Sequence, residues 1–214
     1  MSGVSFELRS GDRFALVGAN GAGKTTLLKV LAGVFEPTDG RIISHGHVTS
    51  LLDTSVGLNV DATGYENIIL RGMYMGMHPR EMAQRAPAIA EFTELGDYLE
   101  MPVRTYSAGM MVRLAFAIST CVAPDILVMD EWVSAGDARF LAKAQRRIEE
   151  FVRHSSILVL ASHSLDLIEK WCSRGILLHH GQMLRIGPIE EVIASYRRLT
   201  EELTAMEEAQ AAAE

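Results

Sequence analysis

The sequence predicts an α/β fold built on a mostly parallel sheet, and three observations predict it. Apolar runs of strand length alternate with stretches of helical periodicity. A glycine-rich segment, Gly18-Ala19-Asn20-Gly21-Ala22-Gly23-Lys24-Thr25-Thr26, stands between an apolar run and a helical one. From about Tyr65 to Ala123 the pattern is helical with no convincing strand, which marks an inserted helical subdomain. Strand–helix alternation puts helices over the faces of a sheet, and such a sheet is mainly parallel.

The elements follow in chain order. Candidate strands are Val4–Leu8, Phe14–Val17, Arg41–Ser44, Val48–Leu52, Ile126–Met129, Ile157–Ala161 and Gly175–His179. Pro37-Thr38-Asp39-Gly40 and His45-Gly46 are turn signals, so Arg41–Ser44 and Val48–Leu52 are expected to form an antiparallel hairpin. Thr26–Ala32 reads as a helix. So does Ala138–Arg153, whose apolar Phe140, Leu141, Ala144, Ile148, Phe151 and Val152 mark one face. Residues 1–195 are expected to form the main domain, with the helical subdomain at about 65–123. Residues 196–214 are a tail, acidic and Ala-rich from Thr200, expected to be a frayed helix or disordered.

Composition narrows the function classes. With 214 residues, 48% of them hydrophobic, the chain has ample material for a core. A net charge of −7 argues against a nucleic-acid surface as its main partner. Cys121 and Cys172 have neither zinc-site spacing nor a disulfide pattern, and both read as reduced thiols in a cytoplasmic protein. No signal peptide and no apolar run near 18 residues is present, so the chain itself is not expected to cross a membrane.

Residues 18–26 fit the phosphate-loop pattern G-x-x-x-x-G-K-[ST] at every fixed position. Glycines allow consecutive backbone N–H groups to turn onto a polyanion, and the following helix N-terminus adds positive partial charge. Lys24 is expected to reach the β- and γ-phosphates, and the Thr25 hydroxyl to ligate Mg²⁺. Asp125-Ile126-Leu127-Val128-Met129-Asp130-Glu131 is an apolar strand ending in two carboxylates. Asp130 is expected to hold Mg²⁺, and Glu131 to polarise a water in line with the γ-phosphate. Tyr106-Ser107-Ala108-Gly109-Met110 opens a further helix, where a Ser and small residues make a second anion site.

This ordered set resembles the ATP-binding cassette of ABC transporters. The resemblance extends over about residues 4–195 and implies an ABC-type cassette with bound ATP and Mg²⁺. It implies that His163, in Ala161-Ser162-His163-Ser164, senses the γ-phosphate, and that Asp137 lies in a dimer-contact loop. Tyr106-Ser107-Ala108-Gly109-Met110 with Val112-Arg113-Leu114-Ala115-Phe116-Ala117 is similar to cassettes that export O-antigen, capsule and teichoic acid. Those carry Tyr-Ser-Ser-Gly-Met where most transporters carry Leu-Ser-Gly-Gly-Gln. Glu131-Trp132 with Gly136-Asp137, and Thr63-Gly64-Tyr65-Glu66-Asn67-Ile68, are similar to the same subgroup.

Three features depart from the pattern. The family's adenine-stacking aromatic lies on an upstream strand, and only 17 residues precede Gly18, so the N-terminal strand is expected to be missing and the adenine contact is not identified. Asp53 lies near the place of the usual Gln in the loop that couples the subdomains. Gly136 stands where the dimer-contact loop usually has Leu. Some members of the family also carry a C-terminal carbohydrate-binding domain; none is expected in this chain, and glycan selection is expected to lie in a membrane subunit.

Seven of the 11 Met fall between Met73 and Met111. An adaptable Met surface suits a groove for a partner helix, and core packing of a helical subdomain explains it equally well. The expected assembly is a homodimer with each ATP between one copy's phosphate loop and Ser107, Ala108 and Gly109 of the other. It would be joined to a polytopic membrane permease at the cytoplasmic face of the inner membrane. Two other readings compete: a non-transport ATPase of the same class, and a phosphate-loop kinase acting on a small acceptor. A kinase has no need of a second, trans-acting phosphate site, and it releases a phosphorylated acceptor in place of free phosphate.

Overall fold

The computed structural model describes residues 1–51, 57–130 and 138–211. They form strands β1 (Arg13–Val17), β2 (Val48–Leu51), β3 (Ile126–Asp130), β4 (Ile157–Ala161), β5 (Arg174–His179) and β6 (Gln182–Pro188). The helices are α1 (Lys24–Leu31), α2 (Gly64–Tyr74), α3 (Pro79–Thr93), α4 (Ala108–Ser119), α5 (Ala138–His154), α6 (Leu165–Trp171) and α7 (Ile189–Ala211), with two short 3₁₀ turns at Gly96–Glu100 and Val103–Thr105. The chain divides into two compact units. One comprises Met1–Gly46, Ile126–Trp132 and Ser156–Glu214, and the other His47–Asp125 and Val133–Ser155.

In the first unit the strands run in the order β3-β4-β1-β5-β6. Among the described residues the pairs β3–β4, β4–β1 and β1–β5 are parallel, and β5–β6 is antiparallel. The central strands are continuous apolar runs because both faces are covered, as parallel sheets require. Phe14, Ala15 and Leu16 in β1, Leu158 and Leu160 in β4, and Ile176 and Leu178 in β5 are fully buried. Strand β6 carries exposed Leu184 and Ile186 at the antiparallel edge. Helix α7 begins with buried Ile189, Val192 and Ile193 and continues as one helix to Ala211, with Leu203 and Met206 exposed. Cys172 is buried at the end of α6, where burial pushes its thiol up to about 12. Both cysteines are free.

In the second unit α3, α4 and α5 meet at three phenylalanines, and α2 packs on α3 and α4. Phe92, Phe116 and Phe140 are buried, with ring centroids 6.0–6.1 Å apart. Along α5, Phe140, Ala144, Ile148, Phe151 and Val152 are buried, the face that the helical period marks. Lys143 on the same helix donates to the Phe92 carbonyl at 3.0 Å and to the Glu94 carboxylate at 2.9 Å. The Lys143 ammonium beside Glu94 holds that carboxyl below its ordinary value.

Two sequence expectations fail. Val4–Leu8 forms no strand. Its alternation still sets the side-chain faces, since Val4, Phe6 and Leu8 are half-buried between exposed Ser5 and Glu7, and Phe6 stacks on Phe14 at 5.1 Å. Arg41–Ser44 is also irregular, with Ile42 and Ile43 exposed, so it makes no hairpin with β2. A β-prone run becomes a strand only when its N–H and C=O groups enter a ladder, and neither segment does so. The antiparallel hairpin of this fold is β5–β6.

Candidate active site

Register brings the first part of the site together. Leu16 of β1 pairs with Ala161 of β4, and Asp130 of β3 pairs with the same Ala161. Parallel strands end at one edge of a sheet, so the phosphate loop after Val17, the Asp130 carboxylate and the segment carrying His163 all leave the same edge. Ligands of open α/β sheets bind at the carboxyl ends of the strands for this reason.

The loop leads directly into α1. Gly23 is the residue before the helix and has φ 106°, in the left-handed region, and no side chain caps the first turn. A Cβ on Gly18 would lie 2.4 Å from the Leu178 carbonyl oxygen, so only glycine lets β5 approach the loop this closely. Lys24 is buried, and its ammonium donates to the Gly18 carbonyl at 2.7 Å and the Ala19 carbonyl at 3.1 Å. These bonds fold the side chain back over residues 18–19 and hold its charge at the loop. Ala22 is buried, Asn20 and Gly21 are exposed, and the amide of Ala22 closes a turn onto the Ala19 carbonyl at 3.1 Å.

Thr25 and Asp130 meet in this unit. The Thr25 hydroxyl donates to the Asp130 carboxylate at 2.5 Å, across 105 residues of sequence. Thr26 follows as an exposed residue in the first turn of α1. His163 is exposed in the turn between β4 and α6, which is fixed by Ser164 donating to Ser162 at 3.0 Å and capping α6 through Leu167.

Ser107, Ala108 and Gly109 belong to the second unit. Ser107 caps α4, accepting from the Met110 amide at 3.2 Å, and Ala108 and Gly109 open the helix. Glu131, Asp137 and Asp53, and with them Trp132 and Gly136, lie outside the described residues.

Tyr106 has a structural part that its place in the motif does not reveal. Tyr106 is buried, and its hydroxyl donates to the Tyr98 carbonyl at 2.6 Å. A Cβ on Gly64 would lie 2.5 Å from that hydroxyl oxygen and 2.7 Å from a Leu99 methyl. The segment Thr63–Asn67 is therefore a socket for the residue before Ser107. Thr63 and Glu66 close a capping box at the start of α2. Bonds from Thr63 hold the Glu66 carboxyl below its ordinary value, the backbone amide first. The Asn67 side chain donates to the carbonyls of Asn59 at 2.9 Å and Thr63 at 2.8 Å, and accepts from the Asn59 amide at 2.7 Å. The sequence signal was available in Thr63-x-x-Glu66, a capping-box spacing. Thr63→Ala is expected to lower stability by about 1 kcal/mol, the usual cost of a lost N-cap. Urea denaturation of the variant against the parent chain measures it.

A family model described as ABC transporter matches residues 1–134. An O-antigen export system ATP-binding protein (RfbB) of Myxococcus xanthus is 39% identical over 213 residues, covering 100% of this chain and 48% of its own length. An O-antigen export system ATP-binding protein (RfbE) of Yersinia enterocolitica is 44% identical, over 85% of this chain and 76% of its own. A teichoic acids export ATP-binding protein (TagH) of Listeria monocytogenes is 42% identical, over 90% of this chain and 57% of its own. The chain thus spans about half the length of the Myxococcus and Listeria relatives. A solved ATP-binding subunit of an ABC transporter superposes with a TM-score of 0.73 at 25% identity, over 94% of this chain and 91% of that one.

Proposed function

The chain belongs to the ABC transporter family, and on that premise we propose that it is the ATP-hydrolysing subunit that powers export of a cell-surface polysaccharide. One observation carries the nucleotide chemistry: the Thr25 hydroxyl and the Asp130 carboxylate converge at 2.5 Å beside a loop whose lysine is buried. Two hard oxygen donors at that point suit Mg²⁺, which takes few protein ligands and fills its shell from water and phosphate oxygens. Bound there, Mg²⁺ would neutralise charge on the β- and γ-phosphates. Loop amides, the uncapped N-terminus of α1 and Lys24 bind and orient the triphosphate. Glu131 orients the attacking water, and His163 contacts the γ-phosphate.

The polysaccharide assignment rests on 39–44% identity to O-antigen and teichoic acid export proteins over most of the chain, and on Tyr106-Ser107-Ala108-Gly109-Met110. No described helix is long and apolar enough to cross a membrane. The proposed partner is a polytopic permease, which places the chain at the cytoplasmic face of the inner membrane. Two copies close head to tail on two ATP molecules. Ser107, Ala108 and Gly109 of one copy then face the γ-phosphate bound by the other, with Asp137 in the contact loop.

The closing step has its own test. Ser107→Arg is expected to keep ATP binding to the single chain and to remove ATP-dependent dimerisation and turnover, because a long side chain fills the space for the partner's phosphate. Ser107→Ala, which removes only the cap, is the control; it should cost about 1 kcal/mol of stability. Normal hydrolysis by Ser107→Arg would overturn the two-copy mechanism. The transport reading is tested in the source cell. Loss of the chain should leave a surface polysaccharide inside the cell, and a normal surface glycan would defeat the assignment. Release of free phosphate in place of a phosphorylated acceptor excludes a kinase.

A further inference from the structure

The turn joining β5 to β6, His179-His180-Gly181, is built against the phosphate loop. The Gly181 amide donates to the Ala22 carbonyl at 3.0 Å, and a Cβ on Gly23 would lie 3.6 Å from the Gly181 Cα. One residue before the turn, the Leu178 carbonyl presses on Gly18. The turn is therefore bonded to the loop at Ala22 and passes close to Gly23, while the end of β5 just before it packs on Gly18. It carries two imidazoles with ring centroids 4.2 Å apart, tilted by 63°. His180 is exposed, and it holds φ 47°, a left-handed conformation that a non-glycine residue adopts at a cost. A ladder irregularity between Leu177 and Leu178 immediately precedes the pair. Such irregularities re-aim side chains at sheet ends.

A nucleotide whose phosphates lie on residues 18–25 must lead its sugar and base out past one flank of that loop. The His179–Gly181 turn forms a flank that carries flat aromatic surface. We infer that the His179–His180 pair is a base-contacting platform, on which the nucleotide's purine stacks by its π-face while the phosphate loop holds the other end. His180 supplies the stacking ring, and His179 sets its tilt as a positioning residue. A π-face contact does not distinguish one purine from another, so the platform adds affinity without selecting adenine over guanine.

This inference rests on the nucleotide reading above, and the experiment separates the two. Dissociation constants for ATP and for inorganic tripolyphosphate, both with Mg²⁺, are measured calorimetrically on the parent chain, His180→Asn and His180→Gly. Both replacements tolerate positive φ and so keep the turn, while both remove the ring. The expected result is that ATP binds about three- to tenfold more weakly to both variants, the usual worth of one aromatic stack, and that tripolyphosphate binds as to the parent. His180→Phe, which keeps a ring, should restore part of the ATP affinity. Unchanged ATP affinity, or an equal loss for both ligands, overturns the platform and makes the turn only a support of the loop. Failure of the parent chain to bind either ligand would instead overturn the nucleotide reading itself.

Discussion

Lys24→Ala is expected to abolish useful nucleotide binding while leaving the chain folded. The buried ammonium is held by the Gly18 and Ala19 carbonyls, so in the parent chain its charge is already positioned before any ligand arrives. Charge-assisted hydrogen bonds are worth about 1.5–3 kcal/mol each. Loss of two such contacts to phosphate oxygens corresponds to roughly 10²- to 10⁴-fold in affinity. The substitution also frees two loop carbonyls, whose negative ends would then face the same phosphates. Calorimetric titration with ATP and Mg²⁺ measures the effect, and a urea midpoint close to that of the parent shows that the fold survives. Near-normal ATP affinity would mean that the loop, despite its geometry, does not carry the binding.

Why the loop was legible in the sequence, and other parts were not, has a physical basis. Glycine positions and a Lys-Thr pair are demanded by backbone geometry and charge within nine consecutive residues, so local sequence carries them. The parallel strands were legible because burial on both faces makes them continuous apolar runs, as in Ile157–Ala161 and Ile126–Met129. Strand β6 was not, since Gln182, Leu184 and Arg185 are exposed and its pattern is that of an edge. Val4–Leu8 and Arg41–Ser44 misled for the opposite reason: alternation and β-branching describe a side chain's surroundings, whereas a strand needs a neighbour. The contact of Thr25 with Asp130 spans 105 residues, and no local pattern encodes it; pairing two separate motifs pointed to it. The capping box Thr63-x-x-Glu66 was legible as a helix start, but the seating of Tyr106 against it was not, because that contact depends on the absent side chain of Gly64.

Glu131→Gln is expected to separate binding from hydrolysis. Glu131 directly follows Asp130, the last residue of β3, at the strand end from which β1 and β4 also issue the loop and His163. The proposed division of labour gives Asp130 the metal side of the phosphates and Glu131 the water. A carboxylate can accept a proton from an attacking water, and an amide of the same shape cannot. The variant should therefore bind ATP like the parent, since Lys24, Thr25 and Asp130 are untouched, and hydrolyse it roughly 10²-fold or more slowly. With release blocked, the ATP-bound form should accumulate as a dimer on size-exclusion chromatography, and addition of Ser107→Arg to the same chain should return it to the monomer. That double variant ties the chemical step to closure, because it tests whether the second phosphate site acts from another copy. Hydrolysis at the parent rate would remove Glu131 from the reaction. A monomer that retains ATP without turnover would leave Glu131 in place and break the proposed link between nucleotide and dimer.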